Sequence, residues 1–126
     1  MESYKVDTHD LHMKIEKFED IQSWQKAKSL TIFIYEVFRL NKDYAFRDQI
    51  QRAGVSILNN IAEGFERRSN KELSHFLFIA KGSCGEVRSM LYLAIELEYI
   101  SEKDFKKMYT ETIEISKLLS GFIKTL

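Results

Sequence analysis

Residues 49–68 read QIQRAGVSILNNIAEGFERR, and this stretch decides the fold because it places two stripes of opposite character on one helix. At about 100° per residue, its apolar side chains recur on one side of the helix and its polar side chains on the other. The apolar stripe consists of Ile50, Ala53, Ile57, Ile61 and Phe65. The polar row consists of Arg52, Ser56, Asn60, Glu63 and Arg67. The stripe predicts a core-facing helix, and the mixed chemistry of the row suits hydrogen bonding to a partner.

Composition narrows the class of protein. The chain has 126 residues, enough for one domain with its own core. Its 19 basic and 19 acidic residues balance, so it lacks the overall basic excess typical of nucleic-acid-binding domains. The single cysteine, Cys84, has no thiol to pair with and is predicted to be a small core residue. Without an apolar run long enough to cross a bilayer, the sequence predicts a soluble cytoplasmic protein.

Helical periodicity extends over everything after residue 18, and the chain contains no proline. We divide it into a flexible N-terminal tail, residues 1–17, and a helical domain, residues 18–126. Caps and polar breaks separate four helices, at about 20–40, 45–67, 69–98 and 101–126. Because short connections make successive long helices run antiparallel, the pattern predicts an all-α, up-down-up-down four-helix bundle.

Three segments have the residues that start a helix. Asp20 is the predicted N-cap of the first helix. Residues 69–72 (SNKE) and 101–104 (SEKD) have the spacing of a capping box, in which the serine hydroxyl accepts from the third helical amide and the acid reaches back. These signals place the starts of the first, third and fourth helices.

Two glycines interrupt the middle of the third helix. Gly82 and Gly85 each cost about 1 kcal/mol relative to alanine there, and Ser89 continues their small-residue face. We predict a packing role for this face. Either two helix axes approach closely, or the face leaves room for a long side chain such as Arg52.

The first helix is more apolar than the edge of a monomeric bundle requires. One stripe suits the core, and a second lies about 100° away from it. The second stripe consists of Ile21, Trp24, Ile32 and Tyr35. Because contiguous exposed apolar patches usually mark contact sites, this stripe predicts a surface through which copies of the chain associate.

The polar row is predicted to be structural. Arg52, Asn60 and Glu63 are expected to pair with the third helix or a neighbouring subunit, with Ser83 and Glu86 as candidate partners. A buried charge must be paired, so these bonds would stabilise the fold appreciably.

Three patterns are candidates for chemistry, and none is complete. Glu72 and His75 have the Glu-x-x-His spacing of di-iron bundles, but a second such pair is lacking. His9 and His12 would need further ligands to hold a metal. Arg68 and His75 match the loose Arg-x(4–6)-His spacing of some helical ribonucleases, in which the histidine is a general acid or base. We therefore predict no enzyme activity, metal or cofactor, and a nuclease using His75 stays as the enzymatic alternative.

Charge is distributed unevenly along the chain. Residues 1–20 carry three basic and six acidic side chains, whereas residues 21–68 carry eight basic and five acidic ones. The candidate RNA contacts, expected near the connection between the second and third helices or the facing end of the bundle, are Arg47, Arg67, Arg68 and Lys71.

Several segments together resemble the four-helix-bundle proteins encoded in intervening sequences of bacterial 23S ribosomal RNA genes. The resemblance covers nearly everything from Phe18 to Leu126. The segments that carry it are 18–27 (FEDIQSWQKA), 49–53 (QIQRA), 56–57 (SI), 60–64 (NIAEG), 71–73 (KEL), 76–77 (FL) and 80–83 (AKGS).

This resemblance implies a quaternary structure and a class of partner. The family is similar to the accessory variability proteins of diversity-generating retroelements, and both form ring-shaped homopentamers of antiparallel bundles. The retroelement relatives associate with a reverse transcriptase and with RNA through basic surfaces. This chain departs from them in being neutral, which weakens the expected RNA binding because phosphate contacts dominate such affinity.

The sequence thus predicts a non-enzymatic oligomeric scaffold, a homopentamer by resemblance, that binds RNA or a ribonucleoprotein. No membrane partner or small-molecule substrate is expected. A scaffold that binds only protein is the main alternative, and the nuclease is the third.

Overall fold

The computed structural model describes residues 4–6 and 13–126. Four α-helices form the body of that part of the chain: α1 (Gln22–Phe38), α2 (Tyr44–Glu66), α3 (Asn70–Glu96) and α4 (Glu102–Lys124). The predicted all-α fold with four helices is confirmed, and each boundary lies within about two residues of the predicted one. None of these four helices is long and apolar enough to cross a membrane.

Side-chain oxygens cap the first turns of α2, α3 and α4. Each accepts a hydrogen bond from the amide three residues further on, at 3.1–3.3 Å. The capping residues are Asp43, Ser69 and Ser101. The two serine caps were expected from the sequence and are confirmed.

The start of α1 differs from the prediction. Its N-cap residue is Ile21, whose side chain has no polar atom to accept a bond. Asp20 instead ends a 3-10 turn, Phe18–Asp20, and its carboxylate accepts from the amides of Glu16 and Lys17. The prediction of Asp20 as the N-cap is wrong because its side chain closes the turn before the helix.

A short strand pair precedes this turn. Strand β1 (Tyr4–Val6) pairs antiparallel with β2 (Met13–Ile15), and Ile15 is buried in the core. Residues 1–3 and 7–12 of the predicted tail lie outside the described residues. His9 and His12, the weak metal-binding candidates, are among them.

The helices pack in a closed cycle around one core. α1 contacts α2 and α4, and α3 also contacts α2 and α4, so α1 and α3 lie diagonally opposite each other. All five residues of the predicted apolar stripe of α2 are buried.

Glycines bring α2 close to both of its neighbours. A Cβ on Gly64 would lie 2.7 Å from the Cβ of Phe76 on α3. A Cβ on Gly54 would lie 3.1 Å from Thr31 Oγ1 on α1. Since real Cβ atoms essentially never approach to 2.7 Å, the α2–α3 separation depends on glycine at position 64.

The glycines of α3 do not have this role within the chain. A Cβ on Gly82 would meet nothing within 4 Å, and one on Gly85 would meet only the Arg88 guanidinium, at 3.9 Å. Arg52 is not among the neighbours of either glycine. The predicted packing role of Gly82 and Gly85 inside the domain is therefore wrong.

A left-handed residue ends α3. Glu98 has φ 60°. The Tyr99 amide donates to the Ala94 carbonyl at 2.8 Å, and the Glu98 amide donates to the Ile95 carbonyl at 3.2 Å. This pair of bonds is a Schellman motif, whose left-handed position favours glycine. A residue with a Cβ costs roughly 1 kcal/mol in that conformation.

We expect Glu98→Gly to raise the free energy of unfolding by about 1 kcal/mol, because Glu98 is exposed and its replacement loses no buried contact. The matched control is Glu96→Gly, which places glycine in the last turn of α3 and should lower stability by about 1 kcal/mol. Urea denaturation at one protein concentration measures both. Effects of the same sign would contradict the assignment of strain to residue 98.

Candidate functional site

The uncharged part of the polar row joins α2 to α3. Ser56 Oγ and Ser83 Oγ lie 2.9 Å apart. Asn60 Nδ2 donates to the Ser56 hydroxyl at 2.9 Å and to the Ser56 carbonyl at 2.8 Å. Ser83 is buried, and Ser56 and Asn60 are half-buried. Because these polar groups bond to each other, this part of the row supports the fold.

The charged end of the row lies at the surface. Arg67 donates to Glu63 at 2.9 Å, and its other terminal nitrogen lies 3.7 Å from a Glu72 oxygen. The hydrogen bond to Glu63 is the main cause that raises the pKa of Arg67 above its ordinary value. All three side chains are about half exposed, so water screens both ion pairs.

Arg52 and Glu86 are exposed as well, and Glu86 accepts a hydrogen bond from Gln49 at 3.2 Å. Arg52 and Glu63 are exposed in the single chain, so the expectation that they are buried against α3 is wrong, and pairing with a neighbouring subunit stays a prediction. The contact between α2 and α3 covers the short side chains near Ser56, whereas the longer charged side chains extend into solvent.

We expect Glu63→Ala to change the free energy of unfolding by less than about 0.5 kcal/mol, because an exposed i,i+4 pair contributes little. Glu66→Ala is the matched control, since it makes the same substitution at another exposed position of α2. Chemical denaturation measures the free energy of unfolding of both variants. The difference between the two changes gives the contribution of the ion pair. A loss of about 2 kcal/mol or more at Glu63 alone would mean that the pair is buried in solution.

The four residues of the predicted second apolar stripe of α1 differ in how far they are exposed. Ile21 is only 2% exposed, so its assignment to an outer contact surface is wrong; it packs in the core before the helix begins. Trp24 is half-buried and its ring meets that of Phe18 edge-on, with centroids 5.2 Å apart. Ile32 and Tyr35 are 50% and 44% exposed. These two side chains are the outward part of the stripe.

Three of the four candidate RNA contacts cluster where α2 ends and α3 begins. The guanidinium of Arg67 lies 5.2 Å from the ring centroid of Phe76. Arg68 has φ 59° and lies 4.9 Å from the ring centroid of Phe65, while Lys71 is exposed on the first turn of α3. We call Arg67, Arg68 and Lys71 the turn cluster. Three exposed acids adjoin it, so the region is locally neutral: Glu63, Glu66 and Glu72.

Arg47 does not belong to the turn cluster. It lies on the first turn of α2, 20 residues before Arg67 at the C-terminal end of that helix, which is about 30 Å along the helix axis. Its side chain pairs with Asp48 at 3.1 Å and lies 4.8 Å from the ring centroid of Tyr44. The expectation that Arg47 gathers with the other three candidate RNA contacts is wrong, since the length of α2 separates it from them.

An open groove between α1 and α2 is a feature that the sequence did not indicate. It encloses about 750 Å³ and is lined by Tyr35, Glu36, Arg39, Arg47 and Gln51. Tyr35 and Arg47 were assigned to different surfaces by the sequence, and packing brings them together. One acid and two arginines give the groove a mixed character, without the enclosure typical of a small-molecule site.

His75, the candidate general acid or base, lies at the surface of α3. His75 is exposed and its ring contacts that of Phe76, with centroids 5.6 Å apart. Among residues 4–6 and 13–126, no three His, Cys, Asp or Glu side chains group as metal ligands.

Cys84 lies in the core. Its Sγ donates to the Thr112 carbonyl at 3.1 Å, and burial raises its pKa to about 11. The thiolate that a nucleophile requires is therefore suppressed at neutral pH.

The sequence analysis did not single out Glu111, a half-buried acidic residue of α4. Burial is the main cause that raises the pKa of Glu111, and its Oε1 has no hydrogen-bond partner among the described residues. Helical spacing places Glu111 at the border between the core-facing and the solvent-facing sides of α4. At such a position the sequence alone does not distinguish a solvated carboxylate from a buried one.

Comparisons with known proteins agree with the fold. The family described as 23S rRNA-intervening sequence protein matches residues 19–121. A crystal structure of a Bacteroides thetaiotaomicron protein of unknown function, from the S23 ribosomal protein family, is 30% identical and superposes with a TM-score of 0.76. The match covers 82% of this chain and 99% of that one. No curated protein matches the chain.

Proposed function

This chain belongs to the family of 23S rRNA-intervening sequence proteins, and we propose that it is a non-enzymatic cytoplasmic scaffold that assembles as a ring of five subunits and binds RNA or a ribonucleoprotein. The observation that carries the proposal is the exposure of Ile32 and Tyr35 on α1 of a single chain. Large apolar side chains that remain exposed on one helix favour a protein contact.

Contacts between helices support an antiparallel up-down-up-down bundle as the subunit. Between α2 and α3, Ser56 meets Ser83 and Arg67 meets Glu72. Between α1 and α4, Lys26 pairs with Glu114, whereas the later Phe33 lies under the earlier Lys107. Residue numbers rise on one helix of each pair and fall on the other, as expected of antiparallel neighbours.

We expect light scattering to give the wild type a mass near five times 14.9 kDa, about 75 kDa. Replacing both outward residues of α1, by Ile32→Glu with Tyr35→Glu, should lower the mass toward that of one subunit. Charged side chains would have to be desolvated in the contact, which costs several kcal/mol.

Thr110→Glu is the control, because it adds a charge at an exposed position of α4 that carries no large apolar neighbour on the surface. It should retain the mass of the wild type. A monomeric wild type at micromolar concentration would contradict the proposed assembly.

The turn cluster is the proposed RNA contact. Arginines that stack on aromatic rings present rigid guanidinium donors to phosphate. The three neighbouring acids keep one copy of the cluster weak, and a ring would repeat it around an axis. Several weak sites on one particle can bind a single RNA far more tightly than one site does.

We expect the intact oligomer to bind a labelled single-stranded RNA weakly at about 50 mM salt and to lose it by about 200 mM, because phosphate contacts release counterions. Arg67→Gln with Arg68→Gln should reduce the affinity and flatten its salt dependence. Fluorescence anisotropy measures both quantities.

Lys103→Gln with Lys106→Gln is the control, since it removes two exposed positive charges from α4 instead. It should leave the affinity largely unchanged. Absence of RNA binding at 50 mM salt would favour a scaffold for protein partners only. Cleavage of the RNA that His75→Ala abolishes would favour the nuclease.

A further inference from the structure

The groove between α1 and α2 is lined by two arginines near the connection that joins these helices. Arg39 directly follows the last residue of α1, and Arg47 lies on the first turn of α2. Both line the same open space, which has a volume of about 750 Å³. Two guanidinium groups therefore face one space from opposite walls.

The rest of the described lining does not neutralise this pair. Glu36 also lines the groove, but it lies within ion-pair distance of neither arginine. Arg39 has no ion-pair partner among the described residues. Asp48 accepts a hydrogen bond from Arg47 Nε at 3.1 Å, and the two terminal nitrogens of Arg47 make no hydrogen bond within the part of the chain described. Like charges that share one space repel each other, so an anion between them would be attracted by both.

Arg47 is held in place before any ligand arrives. Its guanidinium is fixed on one side by Asp48 and on another by the ring of Tyr44, whose centroid is 4.8 Å away. A side chain that is already ordered loses little conformational entropy on binding. Arg39 is exposed and unpaired, so it is able to adjust to a ligand that Arg47 has positioned.

The chemistry of the two arginines suits a terminal phosphate. The planar donor fork of a guanidinium matches the oxygens of a phosphate in pairs. A terminal phosphate carries about 1.5 to 2 negative charges at neutral pH, whereas each phosphate inside a nucleic-acid strand carries one. Two arginines match the larger charge. Because the groove is open, the remainder of a long ligand could extend into solvent.

The surroundings of the two arginines offer contacts to a nucleotide. Tyr44 is 59% exposed, and its ring is a surface on which a base can stack. Gln51 is half-buried and lines the groove one turn after Arg47, where its amide can bond to a ribose hydroxyl. Tyr35 lines the groove as well, but it belongs to the proposed subunit contact and the assignment does not use it.

We propose that the groove between α1 and α2 binds the terminal phosphate of an RNA strand through Arg39 and Arg47. The inference rests on the proposed RNA binding and adds a second contact to it, about 30 Å along α2 from the turn cluster. The turn cluster contacts phosphates anywhere in a strand. The groove distinguishes the end of a strand from its interior.

The test compares three forms of one short single-stranded RNA that carries an internal fluorophore: a 5′-phosphorylated form, a 3′-phosphorylated form and a form with hydroxyl groups at both ends. Fluorescence anisotropy with the intact protein at about 50 mM salt measures each affinity. At least one phosphorylated form should bind about tenfold more tightly than the hydroxyl-ended form, because charge-assisted hydrogen bonds to the terminal phosphate are added. The two phosphorylated forms show which end of the strand the groove accepts.

Arg39→Gln with Arg47→Gln should abolish this preference and leave the affinity for the hydroxyl-ended RNA largely unchanged. Arg39→Gln alone changes an exposed, unpaired side chain and should lose most of the preference. Arg52→Gln is the matched control, since it removes an exposed arginine of α2 that does not line the groove, and it should retain the preference. Unchanged helical circular dichroism shows that the variants are folded.

The outcomes separate this site from the turn cluster. Arg67→Gln with Arg68→Gln should weaken all three RNAs by the same factor and leave the preference intact. Equal affinity of the wild type for the three forms overturns the groove assignment and leaves RNA binding standing. Displacement of the phosphorylated RNA by an equal concentration of cytidine 5′-monophosphate assigns the groove to free nucleotides and overturns the assignment to RNA. Absence of binding to all three forms overturns both proposals.

Discussion

The close packing of α2 against its two neighbours is the constraint on which the rest of the structure depends. Gly64 lets the α2 backbone approach Phe76 of α3, and Gly54 does the same toward Thr31 of α1. With these distances fixed, the apolar stripe of α2 is buried from Ile50 to Phe65. A bulkier residue at position 64 would separate α2 from α3 and open the core, because interiors at crystal-like density do not absorb such a shift.

That packing also decides what the polar row can do. Ser56 and Ser83 meet because both side chains are short and the helices are close, and Asn60 completes their hydrogen bonds. Once these groups bond to each other they offer little to a ligand. Glu63 and Arg67, which extend beyond the contact, pair in water and contribute little to stability.

The outer faces divide into two kinds. α4 presents mainly charged side chains to solvent, whereas α1 and α3 keep large apolar ones exposed. The cyclic order of the helices places α1 and α3 on opposite sides of the domain. A surface with two separate apolar sides is suited to repeated assembly, and the electrostatic neutrality of the chain removes the repulsion that would oppose it.

The sequence by itself determined the four helices, the buried stripe of α2 and the serine caps of α3 and α4, because these depend on periodicity and on bonds within one turn. Only the tertiary structure decided which residues outside the predicted core stripes are buried and which of them lie near each other. It buried Ile21, exposed Glu63, separated Arg47 from Arg67 by the length of α2, and left Gly82 without a neighbour. The physical reason is that burial depends on distances between helices, which are set by residues far apart in the chain, whereas helical spacing fixes only the direction in which each side chain leaves its own helix.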